Sequence, residues 1–97
     1  MKLCFVVTDE LRELIRHLPP QTKKKIRNAL DEILENPNCG KALRDELSGL
    51  MSYKLDTIRI IYQIDQTFVA LIAIGPRKTI YQRVALEIKR LKDVRPY

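Results

Sequence analysis

The stretch from Leu50 to Tyr81, LMSYKLDTIRIIYQIDQTFVALIAIGPRKTIY, decides the fold. Met51, Tyr53 and Leu55 alternate with Ser52 and Lys54, and Ile58, Ile60, Tyr62 and Ile64 alternate with Arg59, Ile61 and Gln63. A period of two puts each set on one face of a strand. Asp56-Thr57 reads as a two-residue turn, a weaker signal than Asp-Gly, and Asp65-Gln66 as a second turn. Thr67 to Ile74 is almost uninterrupted apolar sequence, the pattern of a central strand covered on both faces. Gly75-Pro76 should break that strand. Ile80, Val84, Ile88 and Leu91 recur at helical spacing and predict a helix from Thr79 to about Asp93.

The turn sets a register. With Asp56-Thr57 at its tip, Leu55 pairs with Ile58, and Lys54 stands opposite Arg59. Directly opposed residues share a face, with Cβ atoms about 4.5–5.5 Å apart. Two cations there are unfavourable, so stability alone does not require them. Both lie on the face away from Tyr53, Ile58 and Ile60, and the expectation is a cationic patch on a free sheet face. Arg77 follows the strand break and Tyr81 lies four residues on. Arg59, Arg77 and Lys54 could hold a phosphate and stabilise charge developing on it. Tyr81 could share proton transfer or stack on a base. Tyr53 and Tyr62 read as core or hairpin residues.

Upstream, Lys2 to Val7 reads as a first strand. Thr8 is a plausible N-cap, with Asp9 and Glu10 at the positive end of a helix whose apolar face is Leu11, Leu14, Ile15 and Leu18. Pro19-Pro20 ends it. A second helix starts at Gln21, with a stripe of Ile26, Leu30, Ile33 and Leu34 and with Ala29 beside it. Lys23, Lys24, Lys25 and Arg27 crowd its first half and Asp31, Glu32 and Glu35 its second, against the macrodipole. The residues Asn36-Pro37-Asn38-Cys39-Gly40 stop it. Lys41 to Gly49 is a connector pinned by Leu43 and Leu47. Arg95-Pro96-Tyr97 is a loose end. Two amphipathic helices joined at a Pro-Pro corner need a sheet to cover.

Ninety-seven residues make one domain, 1–97, with a single modest core. The net charge of +6 is unevenly spread: residues 1–74 carry 11 basic and 10 acidic side chains, residues 75–97 seven basic and two acidic. Such asymmetry favours a polyanionic partner. The only histidine is His17, so a Ser-His, Cys-His or two-His metal site cannot come from this chain alone. His17 reads as a cap contact. Cys4 and Cys39 do not form a disulfide scaffold; Cys4 reads as a small buried hydrophobe. No Cys/His cluster has zinc spacing. No apolar run approaches the roughly 20 residues of a membrane helix, and MKLCFVVTDE is too short in apolar residues for a signal peptide. The reading is a cytoplasmic chain with no membrane partner.

In order, HLPPQTKKKIRNALDEILENP, KALRDELSGL, the hairpin YKLDTIRIIYQI and IAIGPRKTIYQRV resemble the RelE/ParE toxin superfamily of toxin–antitoxin modules over nearly the whole chain. The resemblance implies an α+β fold: two N-terminal helices packed on a small twisted antiparallel sheet, with a C-terminal helix. It implies a cytoplasmic toxin neutralised by a cognate antitoxin that wraps around it, in a possible heterotetramer. In the RelE branch it implies ribosome-dependent, metal-independent cleavage of mRNA, the 2′-hydroxyl attacking the scissile phosphate, with no cofactor. By position, Arg59, Arg77, Tyr81 and Lys54 match the catalytic set. Lys23, Lys24, Lys25, Lys78 and Arg83 are the expected contacts to RNA or ribosome. A further basic strand residue common in the family has no clear match; Ser52 or Asp56 falls there. In the ParE branch the resemblance implies inhibition of DNA gyrase without nuclease activity.

Overall fold

A computed structural model describes the backbone of residues 4–93, with side chains described through residue 89. The elements run β1 (Cys4–Val7), α1 (Asp9–Arg16), α2 (Pro20–Glu35), β2 (Lys41–Ala42), β3 (Met51–Leu55), β4 (Ile58–Ile64), β5 (Phe68–Pro76) and α3 (Arg77–Asp93), with single 3₁₀ turns at Pro37–Cys39 and Asp45–Leu47. The expected α+β architecture is present, with one refinement. The five-stranded sheet has the order β1-β5-β4-β3-β2, and β1 runs parallel to β5 while the other pairs are antiparallel. β2, a two-residue edge strand inside the expected connector, was not legible: two exposed residues carry no periodicity.

The helical hairpin forms for the reasons read from the sequence. The Thr8 hydroxyl accepts from the Leu11 N–H at 3.2 Å, capping α1, and Pro20 opens α2, where its missing N–H costs nothing. Leu11, Ile26, Ala29 and Ile33 pack on Ile60, Tyr62, Val69, Leu71 and Ile74 to make the main core. Two expectations fail here. Leu14 is 47% exposed, and Cys4 is exposed on the outer edge of β1 rather than buried.

The opposite face of the sheet is not free. α3 crosses it, and Ile80 and Val84 pack on Leu50 and Ile61, with Leu43, Leu47, Ala73 and Tyr81 around them. β4 therefore separates two cores, and Ile60, Ile61 and Tyr62 are all fully buried. The β4–β5 ladder is interrupted: Ile61 pairs with Ala73 but Tyr62 with Leu71, so Ile72 is an extra residue. The bulge lets Leu71 and Ile74, three apart, face the same core, and it turns Ala73 and Gly75 towards α3. The Gly75-Pro76 break also falls later than expected. β5 continues through Pro76, which pairs with Ile58, and α3 starts at once at Arg77. Proline cannot donate, and the Arg77 N–H takes the next bond, to Thr57 O at 2.9 Å.

Tyr62 ties the loop after α2 to the sheet. Its hydroxyl donates to Pro37 O at 2.6 Å and accepts from the Gly40 N–H at 3.1 Å. A Cβ at residue 40 would stand 2.5 Å from that oxygen and 2.9 Å from Ser52 O, so only glycine admits the approach. Tyr62→Phe leaves both backbone groups without their partner and should cost about 1–3 kcal/mol, read as a lower urea midpoint at unchanged slope. Burial pushes the Tyr62 phenol from 10.0 up to about 12. A group whose proton is held more tightly in the folded state stabilises below its ordinary value and loses that contribution as pH rises through the folded one. The urea midpoint should therefore fall between pH 10 and pH 12, and less steeply in Tyr62→Phe.

Candidate functional site

The turn between β3 and β4 is the anchor of the site. Asp56 takes φ 55, a left-handed conformation that Asp tolerates better than most residues. Three residues hold the turn. Lys25 on α2 pairs with the Asp56 carboxylate at 3.2 Å. Arg59 Nη1 donates to Asp56 O at 2.9 Å and to Ile58 O at 3.0 Å. The Arg77 N–H adds a fourth bond, to Thr57 O.

Lys54 stands opposite Arg59 in the register expected from the turn. The like-charge conflict is relieved by a conformational choice. Lys54 is exposed, whereas Arg59 is only 8% exposed and folds its Nη1 onto the carbonyls of its own turn. The expected exposed cationic patch thus becomes one exposed cation beside one buried one. Nη1 spends both hydrogens on those carbonyls. The Nε–Nη2 edge of the fork remains as the one that can receive an oxyanion in two-point fashion.

Arg77 and Lys78 are the first residues of α3, both exposed, with no acid in that first turn. The helix N-terminus already carries about half a positive charge, so each cation there is unfavourable by roughly 0.3–1 kcal/mol unless an anion binds. One turn on, half-buried Tyr81 places its hydroxyl 2.8 Å from Ser52 Oγ, where either oxygen can donate. Ser52 is 5% exposed on β3, two residues before Lys54 and on the same face. Sequence reasoning placed no functional weight on Ser52. The available signal was its parity with Lys54.

Lys54 and Arg59 lie on the sheet face that α3 covers, Tyr81 reaches that face at Ser52, and the Arg77 backbone is bonded to the β3–β4 turn. Arg83, two residues beyond Tyr81, reaches back over Gly75. The α2 lysines belong to the opposite face. Lys24 is exposed, Lys25 is committed to Asp56, and Lys23 and Arg27 join Arg12 and Arg16 around a groove of about 370 Å³. Its apolar lining includes Phe5, Val7, Ile15, Ile26, Leu30 and Leu71.

Other reactive groups lie elsewhere. His17 caps α1, its Nδ1 lying 2.8 Å from Glu13 O. Burial and the Glu32 carboxylate push the Cys39 thiol up, the opposite of an activated thiolate. The Tyr53 hydroxyl donates to Glu32, which holds that phenol up to about 12. Among the described residues no group of three or more His, Cys, Asp and Glu side chains is placed to hold a metal ion.

The profile of a family described as the ParE toxin of type II toxin–antitoxin systems, parDE, matches residues 7–81. The chain belongs to this toxin family. The match covers both helices of the hairpin, β2 to β5, the last residue of β1, and α3 as far as Tyr81. Solved structures extend the comparison. The chain is similar to the RelBE2 toxin–antitoxin complex from Mycobacterium tuberculosis, at 28% identity over 79% of this chain and 100% of that one, TM-score 0.68. It shares the fold of a free double-arginine variant of the E. coli toxin RelE, at 20% identity over 90% and 97%, TM-score 0.71. It shares it also with a heterotetrameric YoeB-YefM toxin-antitoxin complex from Staphylococcus aureus, at 18% identity over 75% and 94%, TM-score 0.61. Comparison with curated protein sequences gives no match. The resemblance to the RelE/ParE superfamily is thus borne out. The matching profile is that of ParE, while the structural relatives are RelE and YoeB toxins.

The Ser52–Tyr81 contact can be isolated in this toxin by a double-mutant cycle. Ser52→Ala and Tyr81→Phe should each lower stability by about 1 kcal/mol. The double variant should cost less than their sum, because the second change removes a partner already lost. Additive losses in urea denaturation would show that the two hydroxyls do not interact.

Proposed function

We propose that this toxin is a ribosome-dependent endoribonuclease that cleaves mRNA by attack of the 2′-hydroxyl on the adjacent scissile phosphate. One observation carries the reading: Lys54, Arg59 and Arg77, from three different elements, gather at the N-terminus of α3 beside the Ser52–Tyr81 hydroxyl pair. Arg59 spends one nitrogen on the turn, and the mutual repulsion of the gathered cations is what a phosphodiester would relieve. The free edge of Arg59 and the Arg77 side chain would hold the non-bridging oxygens, which gain charge as the 2′-oxygen bonds to phosphorus. Arginine suits this role because its fork is two-pronged and always charged. The bond from phosphorus to the 5′-oxygen then breaks. The 2′-hydroxyl would release its proton to water, and Lys54 would donate the proton that the leaving 5′-oxygen takes up. Tyr81 would orient the attacking hydroxyl or stack on its base.

The partner we propose is a cognate antitoxin. The groove between α1, α2 and β1 has an apolar lining and the cationic side chains Arg12, Arg16, Lys23 and Arg27 around it. That chemistry suits an amphipathic segment with acidic flanks. Two toxins with antitoxins bound would form a heterotetramer of the kind solved for YoeB-YefM.

A second reading, inhibition of DNA gyrase without nuclease activity, is favoured by two observations. The matching family profile is that of ParE. Ser52 or Asp56, neither of them a cation, stands where the resemblance leads one to look for a further strand cation, and the Ser52 hydroxyl is engaged by Tyr81.

Brief induction in a bacterium, with mRNA 5′ ends mapped and protein synthesis followed, separates the two. The nuclease reading expects cuts within translated frames. Arg77→Ala should reduce cutting by about 10²-fold or more while antitoxin binding persists. Growth arrest with intact mRNA and gyrase-dependent DNA breaks would establish the gyrase reading instead.

A further inference from the structure

Gly75 is glycine for a reason other than backbone freedom. The one glycine with positive φ among the described residues is Gly49. Gly75 lies in a regular ladder, paired with Arg59. What it lacks is space. A Cβ at residue 75 would stand 3.0 Å from Ile80 Cδ1 and 3.1 Å from Arg83 Nη1. The missing side chain therefore makes the floor on which the Arg83 guanidinium rests.

We propose that Arg83 is a phosphate-binding residue of this site, seated beside Arg59 by the absence of a side chain at residue 75. Three observations converge. First, the β5 bulge at Ile72 turns Gly75 towards α3, so Arg83 comes down on the same sheet face as Lys54 and Arg59. Second, α3 presents Tyr81 on one flank of its buried ridge, Ile80 and Val84, and Arg83 on the other. Tyr81 reaches β3 at Ser52 and Arg83 reaches β5 at Gly75, so the two bracket Arg59 on β4. Third, this end of the sheet already holds Lys54, Arg59, Arg77 and Lys78. Adding a guanidinium raises the local repulsion, which a bound phosphodiester oxygen would reverse.

The binding function is testable apart from cleavage, although the assignment to a scissile phosphate rests on the nuclease reading. The probe is a short single-stranded DNA oligonucleotide, which has phosphodiesters but no 2′-hydroxyl to attack, followed by fluorescence anisotropy at low salt. The full-length toxin should bind it. Arg83→Ala should weaken binding on the order of tenfold and reduce the slope of log affinity against log salt by about one. Arg83→Lys should recover part of the loss, since a point charge replaces the fork. Lys41→Ala, on the far edge strand, should change affinity less than about twofold. Gly75→Ala should resemble Arg83→Ala and add nothing to it in the double variant. Thermal melts identify any Gly75→Ala misfolding, in which case Arg83→Ala and Arg83→Lys decide alone. Binding by Arg83→Ala equal to that of the unaltered toxin, additive losses with Gly75→Ala, or no binding by the toxin itself would overturn the proposal. Oligonucleotide binding that depends on Arg83 in a toxin that leaves mRNA intact would sustain Arg83 and remove the nuclease.

Discussion

The pairing of β4 with β5 is the constraint on which everything else rests. These two strands are buried on both faces, and their ladder holds the helical hairpin on one side and α3 on the other. A ladder that served two cores without a bulge would alternate strictly. Here Ile72 is inserted, and the alternation shifts between Leu71 and Ala73. Leu71 and Ile74 can then both fill the hairpin core while Gly75 turns to the α3 face. One inserted residue thus decides which face of the sheet receives the end of β5.

That constraint shapes the chemistry. Because β5 passes into α3 without a loop, the first turn of the helix is fixed against the β3–β4 turn by the bond from the Arg77 N–H to Thr57 O. The cations of the site are therefore carried on a rigid frame of strand ends and a helix terminus. Arg59 shows the consequence. Among the described residues its charge is buried without a carboxylate partner, and carbonyls of the turn supply the compensation. A buried guanidinium with half its fork committed is preorganised, since the free edge needs little further ordering to meet an anion.

The two basic regions of the chain prove to have different surroundings. Along the sequence, Lys23, Lys24, Lys25 and Arg27 look like one cluster. In the fold, Lys25 serves the β3–β4 turn, while Lys23 and Arg27 face a groove with Arg12 and Arg16. A 3.6-residue period distributes neighbours in sequence around the helix, so a run of charge need not be one surface. Lys54 and Arg59 stand opposite each other on one face of the sheet, and Arg83, far away in sequence, comes down on that face at Gly75.

Local periodicity was enough for the elements themselves, the two-residue β2 excepted. The alternation in Met51–Leu55 and Ile58–Ile64, the Asp56-Thr57 turn, the Lys54–Arg59 opposition, the Thr8 cap and the Pro19-Pro20 corner all depend on residues within a few positions of one another, and all were legible. What needed tertiary structure depends on distant segments. The parallel placement of β1 beside β5, the covering of the second sheet face by α3, the burial of Arg59 and the exposure of Cys4 and Leu14 are set by which elements pack together. The Ser52–Tyr81 contact spans 29 residues. The bulge at Ile72 leaves no mark in an apolar run, because Leu71, Ile72, Ala73 and Ile74 are equally compatible with either face. Hydrophobic sequence states that a strand is buried; the volumes waiting on its two sides decide which way each residue points.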